Sequence, residues 1–429
     1  MSTITPHIHA LIDYSDDYVQ PLLLKALSVL PAESFTIIDS LASLPPGGSV
    51  LQIQQYELLP FESVVASPAT HFINSYVIRK ALIRKHYLST TVAHWISKHP
   101  DSSLKRHVKP SVEFELDYAE FLDEALVEAY ELKESWQRNE ELSEEGKEWW
   151  ILKPGMSERA QGIRLFSSEE ELTGIFEEWE PDSEGEEEED DEGEVGKVTS
   201  DQQETSVTKG DNDDRIMTSH LRHFIAQPYV HPPLLLPSSG MRKFHIRTYV
   251  LAVGALKVYV YQPMLALFAA EAYAPPWENA QDLRSHLTNT CIQGSSVREG
   301  SIQAFWDLKD QVNGNEAWKE DVFEQICQIS GEIFEAAARG MTVHFQPLPN
   351  AFELFGVDFL VDAQGTTYLL EVNAFPDFRQ TGDELQDLIG GLFEEVINVA
   401  VKPFFGMGEE ASNGTKKMKK VLDIDLGRR

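Results

Sequence analysis

The stretch from Phe352 to Pro376, FELFGVDFLVDAQGTTYLLEVNAFP, restricts the fold of this chain more than any other segment. Residues 352–361 and 366–372 are rich in β-branched and aromatic side chains, which favour strands. Between them, residues 362–365 read Asp-Ala-Gln-Gly, which are the residue types of a tight turn. The segment is therefore predicted to form a β-hairpin.

The register of this hairpin decides which polar side chains share a face. We take the pairing to begin with Val361 opposite Thr366. Side-chain alternation then places three polar residues on one face: Asp358, Glu371 and Asn373. Two carboxylates and an amide are hard oxygen ligands that suit Mg²⁺ bridging substrate phosphates. The alternative is a solvated edge hairpin, which the apolar run around Glu371 disfavours because an unpaired buried charge is costly.

Composition excludes several classes of protein. The net charge of −34 argues against a nucleic-acid binder, because such binding depends on clustered Lys and Arg. Two cysteines, Cys291 and Cys327, provide neither a disulfide framework nor zinc-ligand spacing. The first residues lack the features of a signal peptide, and no run approaches about 20 apolar residues. We therefore expect a cytosolic or nuclear protein that contacts neither nucleic acid nor membrane directly.

Length predicts more than one domain, because 429 residues exceed the size of a single core. The predicted class is α/β (α+β). We expect an N-terminal α/β domain at 1–70, a central nucleotide subdomain at 71–228, a metal-binding subdomain at 229–405 and a flexible tail at 406–429.

An acidic segment interrupts the central subdomain. Residues 177–214 contain 18 acidic side chains against Lys197 and Lys209. Such a segment buries too little apolar surface to offset the entropy cost of ordering. We predict a disordered insert at 179–214, which is either a plain solvated loop, the favoured reading, or a lure for a basic partner.

A lysine at a strand end suggests a phosphate contact. The apolar strand that begins at Trp149 ends in Lys153, and a glycine-bearing loop at 155–162 follows it. Strand, loop and strand in this order are expected of a lid over nucleotide phosphates. Farther upstream, residues 72–98 have helical spacing and contain a basic cluster at 79–85. A solvated helix face is the default explanation for this cluster, and contact with phosphate or an acidic peptide is the alternative.

A second cationic group is predicted on the strand at 244–250. Alternation places Lys243, His245 and Arg247 on one face of this strand, while apolar residues occupy the other. Three cationic or titratable side chains beside a metal hairpin are expected to form an anion-facing wall. A surface strand is the alternative.

Taken in order, these segments resemble the tubulin-tyrosine ligase family of ATP-grasp ligases, and more narrowly its fungal branch associated with cytoplasmic processing bodies. The matching segments run from about Trp149 to Pro376: WILKP with RAQGI, AQPY, MRKFHIRTYVL, HLTNTC, and FELFGVDFLVD with YLLEVNAFP. The stretch RKALIRK at 79–85 resembles the family's earlier basic segment with lower specificity. The resemblance implies an ATP-grasp fold and a cytoplasmic location.

The resemblance also implies a role for each matched residue. Residues implied to hold Mg²⁺ are Asp358, Glu371 and Asn373. Residues implied to contact ATP or line the acceptor side are Lys80, Lys153, Gln227, Lys243, Thr288 and Asn289. Arg247 would orient a carboxylate or the acyl-phosphate, and Lys243 would assist it in catalysis.

Three positions depart from the family pattern. Pro228 stands where the family commonly has a lysine, His245 replaces an acid, and Leu267 falls where tubulin-tyrosine ligase has a second arginine. These changes spare the metal residues but affect the acceptor side.

The implied chemistry needs no protein nucleophile. A substrate carboxylate attacks the γ-phosphate of ATP to form an acyl-phosphate, and the amine of a free amino acid then displaces phosphate. The expected partners are a protein or peptide acceptor, such as a tubulin tail, and the amino acid. The alternative from another class is an ATP-binding or degenerate scaffold in cytoplasmic ribonucleoprotein bodies.

Overall fold

The computed structural model describes residues 6–155, 161–180, 218–288, 300–408 and 412–427. The predicted insert from residue 181 onward, part of the predicted loop at 155–162, and Asn289 lie outside the described residues.

The described chain contains both strands and helices, interspersed from end to end, which confirms the α/β (α+β) class. The strands are β1 Ile8–Asp13, β2 Phe35–Ile37, β3 Ser49–Gln54, β4 His71–Ile73, β5 Val112–Glu115, β6 Trp150–Pro154, β7 Arg164–Phe166, β8 His223–Pro228, β9 Arg242–Val253, β10 Lys257–Tyr261, β11 Leu265–Ala272, β12 Ile302–Ala304, β13 Phe352–Val361, β14 Thr367–Ala374 and β15 Met418–Asp423. The α-helices are α1 Val19–Ala26, α2 Phe61–Ala66, α3 Lys80–Ile83, α4 Lys85–Lys98, α5 Leu104–His107, α6 Leu122–Ala125, α7 Tyr130–Asn139, α8 Glu169–Glu178, α9 Thr218–Leu221, α10 Pro276–Asn279, α11 Trp318–Gly340, α12 Gln386–Val396 and α13 Lys402–Phe404. Among these described helices, none is both long and apolar enough to cross a bilayer.

The N-terminal sheet has the order β2-β1-β3-β4 and is parallel throughout. Both faces of a parallel sheet are normally covered. Here α1 and α12 lie against each other over one face, and their apolar residues share a core with β1, β3 and β9. The N-terminal part of the chain is thus packed directly against the C-terminal sheet.

The central sheet has the order β5-β8-β6-β7 and is antiparallel. One face packs on α7 and α8 in a core that includes Trp150, Leu152 and Phe224. Helix α8 begins where it does because the Ser168 hydroxyl accepts a hydrogen bond from the backbone N–H of Glu171. Alternation along β6 leaves Lys153 on the opposite face.

The start of the predicted insert differs from the structure. Trp179, which the prediction placed in the insert, is buried in the core of the central sheet. Its ring packs edge-on to Phe176 and stacks near Phe224. Trp179 was therefore included in the predicted insert wrongly, because the acidic residues on either side of it obscured this apolar anchor.

The C-terminal sheet is built around β9, the longest described strand. Its order is β12-β11-β9-β10-β15, and β9 also pairs with β13, which pairs with β14. One face of β9 and β13 packs on the long helix α11. The other face packs on the N-terminal domain at one end and carries polar side chains at the other, which positions the candidate site.

The C-terminal segment belongs to this sheet, so the prediction of a flexible tail at 406–429 is wrong for residues 412–427. Strand β15 pairs antiparallel with β10, and Met418 is buried. Lys419 of this strand is ion-paired: its Nζ lies 2.6 Å from the Glu324 carboxylate of α11. Charge compensation on a neighbouring helix allows a basic strand to join the sheet.

Candidate active site

The turn of the β13–β14 hairpin lies where the sequence predicts it. The Asp362 carboxylate accepts hydrogen bonds from the backbone N–H groups of Gln364 (3.0 Å) and Thr366 (2.8 Å). Gly365 has a φ of +84°, which glycine adopts without steric cost. The side chain of Asp362 and the conformational freedom of Gly365 therefore fix the turn.

A β-bulge determines which face the metal residues occupy. Pairing begins with Val361 opposite Thr367, so the predicted register is wrong by one residue. Continued without interruption, this register would turn Glu371 away from Asp358. The register shifts at Leu370, and the extra residue brings Glu371 directly opposite Asp358.

The three predicted metal residues converge at one point. The Asn373 side-chain nitrogen donates to Glu371 Oε1 at 3.0 Å and lies 3.5 Å from Asp358 Oδ2. Asp358 is buried, whereas Glu371 and Asn373 are half-buried. The hairpin thus presents two carboxylates and one amide together.

The predicted basic face of β9 lies against this cluster. Arg247 Nε and Nη2 donate to the two oxygens of Asp358 at 2.5 and 2.9 Å. His245 Nε2 lies 3.5 Å from Asp358 Oδ1, and its Nδ1 contacts Thr288 Oγ1 at 2.5 Å. Burial lowers the pKa of His245, so it is neutral at neutral pH. Arg247 is therefore the cation that balances Asp358.

Lys85 is a site residue that the sequence reasoning did not single out. Its Nζ lies 3.4 Å from Glu371 Oε2. Burial by itself raises the pKa of Glu371, but Lys85, the Asn373 amide and Lys153 outweigh burial and hold this pKa well below its usual range. Glu371 is consequently ionised at every pH at which the protein is expected to work.

Lys153 and Gln227 meet on the site-facing side of the central sheet. Lys153 Nζ donates to Gln227 Oε1 at 3.1 Å, and Gln227 Nε2 donates to the backbone carbonyl of Lys109 at 3.2 Å. Burial lowers the pKa of Lys153 to about 8, while the nearby Glu371 carboxylate opposes this effect. The lysine is thus close enough to the metal residues to influence their charge.

Lys243 lies at the start of β9 in a buried aromatic environment. Its Nζ donates to the Tyr229 hydroxyl at 2.9 Å and lies 4.1 Å from the centre of the Tyr229 ring. The same hydroxyl contacts His286 Nδ1 at 2.9 Å. Burial, with a smaller contribution from the nearby charge of Lys153, lowers the pKa of Lys243 to about 7. A bound anion would favour the charged form of both lysines.

The remaining predicted residues have different positions. Thr288 is buried and joins the site through His245, whereas Lys80 is exposed at the start of α3. Asn289 lies outside the described residues. Leu267 is buried on β11 directly opposite His245, so an apolar side chain occupies this part of the site.

The donor set fits a divalent cation. Two carboxylates and one amide converge, and Mg²⁺ prefers carboxylate and amide oxygens. The Asn373 amide nitrogen faces the carboxylates, so Asn373 would bind the ion through its oxygen after rotation of the amide. Among the described residues, no group of three or more Asp, Glu, His or Cys forms a protein-only metal cage. A ligand set of this kind is typical of Mg²⁺ that is bound together with substrate phosphates and water.

Comparison with known proteins now identifies the family. Residues 68–407 match the model of the tubulin-tyrosine ligase family. The chain belongs to this family. The family assignment made from the sequence motifs is therefore confirmed.

Two curated yeast relatives cover nearly all of the chain. A probable tubulin–tyrosine ligase of Schizosaccharomyces pombe is 45% identical over 94% of this chain and 94% of its own length. A probable tubulin–tyrosine ligase of Saccharomyces cerevisiae, PBY1, is 40% identical over 92% of this chain, which spans only 52% of that relative.

A solved structure shares the fold. The C-terminal domain of Pby1 from K. lactis, described as an ATP-grasp enzyme that interacts with the mRNA decapping enzyme Dcp2, superposes with a TM-score of 0.71. It is 34% identical and covers 98% of this chain and 100% of its own. The tubulin-tyrosine ligase family member described here therefore has the predicted ATP-grasp fold.

Proposed function

We propose that this protein is an ATP- and Mg²⁺-dependent carboxylate–amine ligase that joins a free amino acid to a protein or peptide acceptor. The observation that carries the proposal is the convergence of Asp358, Glu371 and Asn373 near the half-buried Lys153 and the buried Lys243. The C-terminal sheet supplies the oxygen ligands and Lys243, and the central sheet supplies Lys153. Oxygen ligands for a metal ion and cations for phosphate oxygens are the groups that a triphosphate requires.

Asp358, Glu371 and Asn373 would hold Mg²⁺, which when bound neutralises charge on the phosphates and favours phosphoryl transfer. Lys153 and Lys243 bind the phosphates of ATP. Burial lowers the pKa of both lysines, so the charged forms are unfavourable without a nearby anion. Bound phosphate stabilises the charged forms, and the charged lysines in turn increase the affinity for phosphate.

Arg247 orients the acceptor carboxylate, because its planar guanidinium donates two parallel hydrogen bonds to such a group. One carboxylate oxygen attacks the γ-phosphorus, the bond from this phosphorus to the bridging oxygen breaks, and ADP leaves. The neutral amine of the amino acid then attacks the acyl carbon, phosphate departs, and the amine loses a proton to give the amide. The protein supplies positioning and charge, and no side chain forms a covalent bond.

The test is a screen of acceptor peptides with each amino acid, ATP and Mg²⁺, read by mass spectrometry and ADP release. We expect ADP release that requires both an acceptor and an amino acid, together with an acceptor mass increased by one amino-acid residue. Glu371→Gln is the control. ADP release with no product of that mass, across the whole screen, would refute the ligase proposal.

A second candidate function is an ATP-binding scaffold in cytoplasmic processing bodies. Two points favour it: the resemblance to the family implies departures at Pro228, His245 and Leu267, and the solved relative interacts with a decapping enzyme. Tight ATP binding without ligation, and co-localisation with decapping factors that survives Glu371→Gln, would support this candidate.

A further inference from the structure

The segment from Asp117 to Glu131 exposes only two kinds of side chain. Ten of its fifteen residues are exposed. Six of these are carboxylates: Asp117, Glu120, Asp123, Glu124, Glu128 and Glu131. The other four are large apolar side chains: Tyr118, Phe121, Val127 and Tyr130. We call this surface, residues 117–131, the acidic–apolar face.

The fold holds the acidic–apolar face in place. The residues between the exposed ones are buried in the core of the central sheet: Leu116, Leu122, Leu126, Ala129 and Leu132. Because this side of the segment is anchored, its apolar residues on the other side cannot turn inward. Tyr118 and Phe121 lie with ring centroids 6.3 Å apart, so they form one aromatic patch.

The four apolar side chains of this face are unusually exposed to solvent. Tyr118, Phe121, Val127 and Tyr130 are 54%, 46%, 59% and 66% exposed. Single exposed apolar residues are common on protein surfaces, but neighbouring ones often mark a binding site. Tyrosine in particular is enriched among the residues that contribute most to binding energy in interfaces.

The charge of this face is largely uncompensated. Arg222 lies 3.6 Å from Asp117 and 3.5 Å from Glu115. Within the described ranges, none of the other five carboxylates of the face forms an ion pair. A partner must therefore bring cations as well as apolar surface, and a second copy of the same acidic face would be repelled.

We propose that the acidic–apolar face docks a segment of a partner protein in which Lys or Arg residues alternate with apolar ones. The carboxylates steer and orient the cations, while Phe121 and Tyr130 supply the buried area that gives affinity. Nucleic acid and anionic membranes lack the required positive charge.

This docking surface is separate from the candidate active site. The face packs on the side of the central sheet that carries Trp150 and Leu152, whereas Lys153 and Gln227 lie on the opposite side. A segment bound there leaves Lys153 and Gln227 accessible to a nucleotide. The proposal therefore holds whether or not the protein is a ligase.

The test measures binding of three labelled 12-residue peptides to the full chain by fluorescence anisotropy. One peptide alternates Arg with Phe or Leu, the second replaces its apolar residues with Ser, and the third replaces Arg with Glu. At about 0.15 M salt, which screens exposed charges, we expect the first peptide to bind at least roughly tenfold more tightly than either other peptide.

Variants locate the site. The double variant Phe121→Ser with Tyr130→Ser should weaken binding of the first peptide by roughly tenfold, and Val343→Ser, at another exposed apolar residue, should not. Hydrogen exchange should show peptide-dependent protection within residues 117–131. ATP binding should be unchanged in both the double variant and Val343→Ser.

Any of four results would overturn the proposal. These are no binding of the first peptide below about 1 mM, equal binding of the serine peptide, wild-type affinity in the double variant, or protection confined to other residues. Concentration-dependent dimerisation that the double variant abolishes would assign the face to a second copy instead, and would also refute it.

Discussion

Arg247 and Asp358 form a two-point ion pair between adjacent strands, with Nε–Oδ1 and Nη2–Oδ2 distances of 2.5 and 2.9 Å. Both side chains are almost fully buried. The residue proposed to receive the acceptor carboxylate is thus held by a residue proposed to bind Mg²⁺. Mg²⁺ competes with Arg247 for Asp358, and the acceptor carboxylate competes with Asp358 for Arg247. When one of these ligands binds, it therefore releases the residue that the other ligand needs.

This pair predicts positive coupling between metal–nucleotide and acceptor binding. When Mg²⁺ with a non-hydrolysable ATP analogue engages Asp358, Arg247 becomes free to bind a carboxylate. We expect the affinity for N-acetylglutamate, measured by calorimetry, to rise by roughly 5–100-fold in the presence of Mg²⁺ and the analogue. Asp358→Asn should abolish most of this increase, because the variant holds Arg247 less tightly in the free protein. Undiminished coupling in that variant would contradict the prediction.

Replacement of Glu371 by Gln should remove Mg²⁺-dependent turnover. The substitution keeps the shape of the side chain but removes one of two charged ligands and leaves Lys85 without its partner. We expect ATP turnover at limiting Mg²⁺ to fall on the order of a hundredfold or more, with an unchanged circular dichroism spectrum. Glu278→Gln, at a surface glutamate, serves as the control. Turnover equal to wild type would refute the metal assignment.

Lys243→Met should stabilise the nucleotide-free protein, most strongly at low pH. The pKa of Lys243 is about 7 in the folded protein against an ordinary value of 10.5. Below the folded pKa the lysine is charged in both states, and the full cost of burying the charge is present. Between these two pKa values the unfolded chain binds more protons than the folded one, so the free energy of unfolding of the wild type rises with pH. Lys243→Met has no proton to bind at this position, so its free energy of unfolding does not rise in this way.

The measurement is urea unfolding at two pH values. We expect the advantage of Lys243→Met over wild type to shrink by roughly 2–3 kcal/mol between about pH 6 and about pH 9. Lys98→Met, at an exposed lysine, should show no such trend. Lys243→Met should also weaken ATP binding, because the phosphate contact is lost. An advantage that grows with pH would contradict the assignment.

Gly356→Ala should destabilise the protein and displace Arg247. A Cβ at this position would lie 2.8 Å from Pro376 Cβ and 3.4 Å from Arg247 Cδ. We expect a loss of roughly 1–3 kcal/mol in the free energy of unfolding. The matched control is Gly174→Ala in α8, where no atom lies within 4 Å and a gain of about 0.5–1 kcal/mol is expected. Equal stability of Gly356→Ala and wild type would show that the packing tolerates the methyl group.

The polar residues of the hairpin could be predicted from the sequence, but their pairing could not. Alternation and the Asp362–Gly365 turn are local properties, and they identify the strands and the face. The bulge at Leu370 depends on how β13 and β14 fit together, which a single strand does not encode. The predicted grouping of Asp358 with Glu371 agrees with the structure because the bulge compensates for the error in register.

Lys85 was missed for a related reason. Residues 72–98 have the spacing of one long helix, but Phe72 and Ile73 form part of β4, and Arg84 is extended between α3 and α4. This break turns Lys85 towards Glu371, while Lys80 remains exposed. Tertiary packing, which overrides local helix propensity, selects the lysine that reaches the site.

Leu267, which falls where tubulin-tyrosine ligase has a second arginine, predicts that this protein is a poor tyrosine ligase toward α-tubulin tails. Leu267 is buried opposite His245, where the family's second arginine would help to bind an acidic acceptor. Two nearby arginines have other partners: Arg284 pairs with Asp282 and Glu271. Arg242 donates to backbone carbonyl groups, including that of Gly300 at 2.9 Å.

Loss of one charge-assisted contact costs roughly 1.5–3 kcal/mol, or about ten- to a hundredfold in acceptor affinity. We therefore expect slow incorporation of tyrosine into detyrosinated α-tubulin in the presence of ATP and Mg²⁺. Leu267→Arg should increase incorporation if it folds, whereas Leu267→Met, which nearly conserves volume, should not; thermal unfolding of both variants separates lost folding from lost function. Efficient incorporation by the wild type, with no gain from Leu267→Arg, would contradict the prediction. It would mean that Arg247 alone is sufficient to bind the tubulin tail, because the arginines nearby are engaged elsewhere.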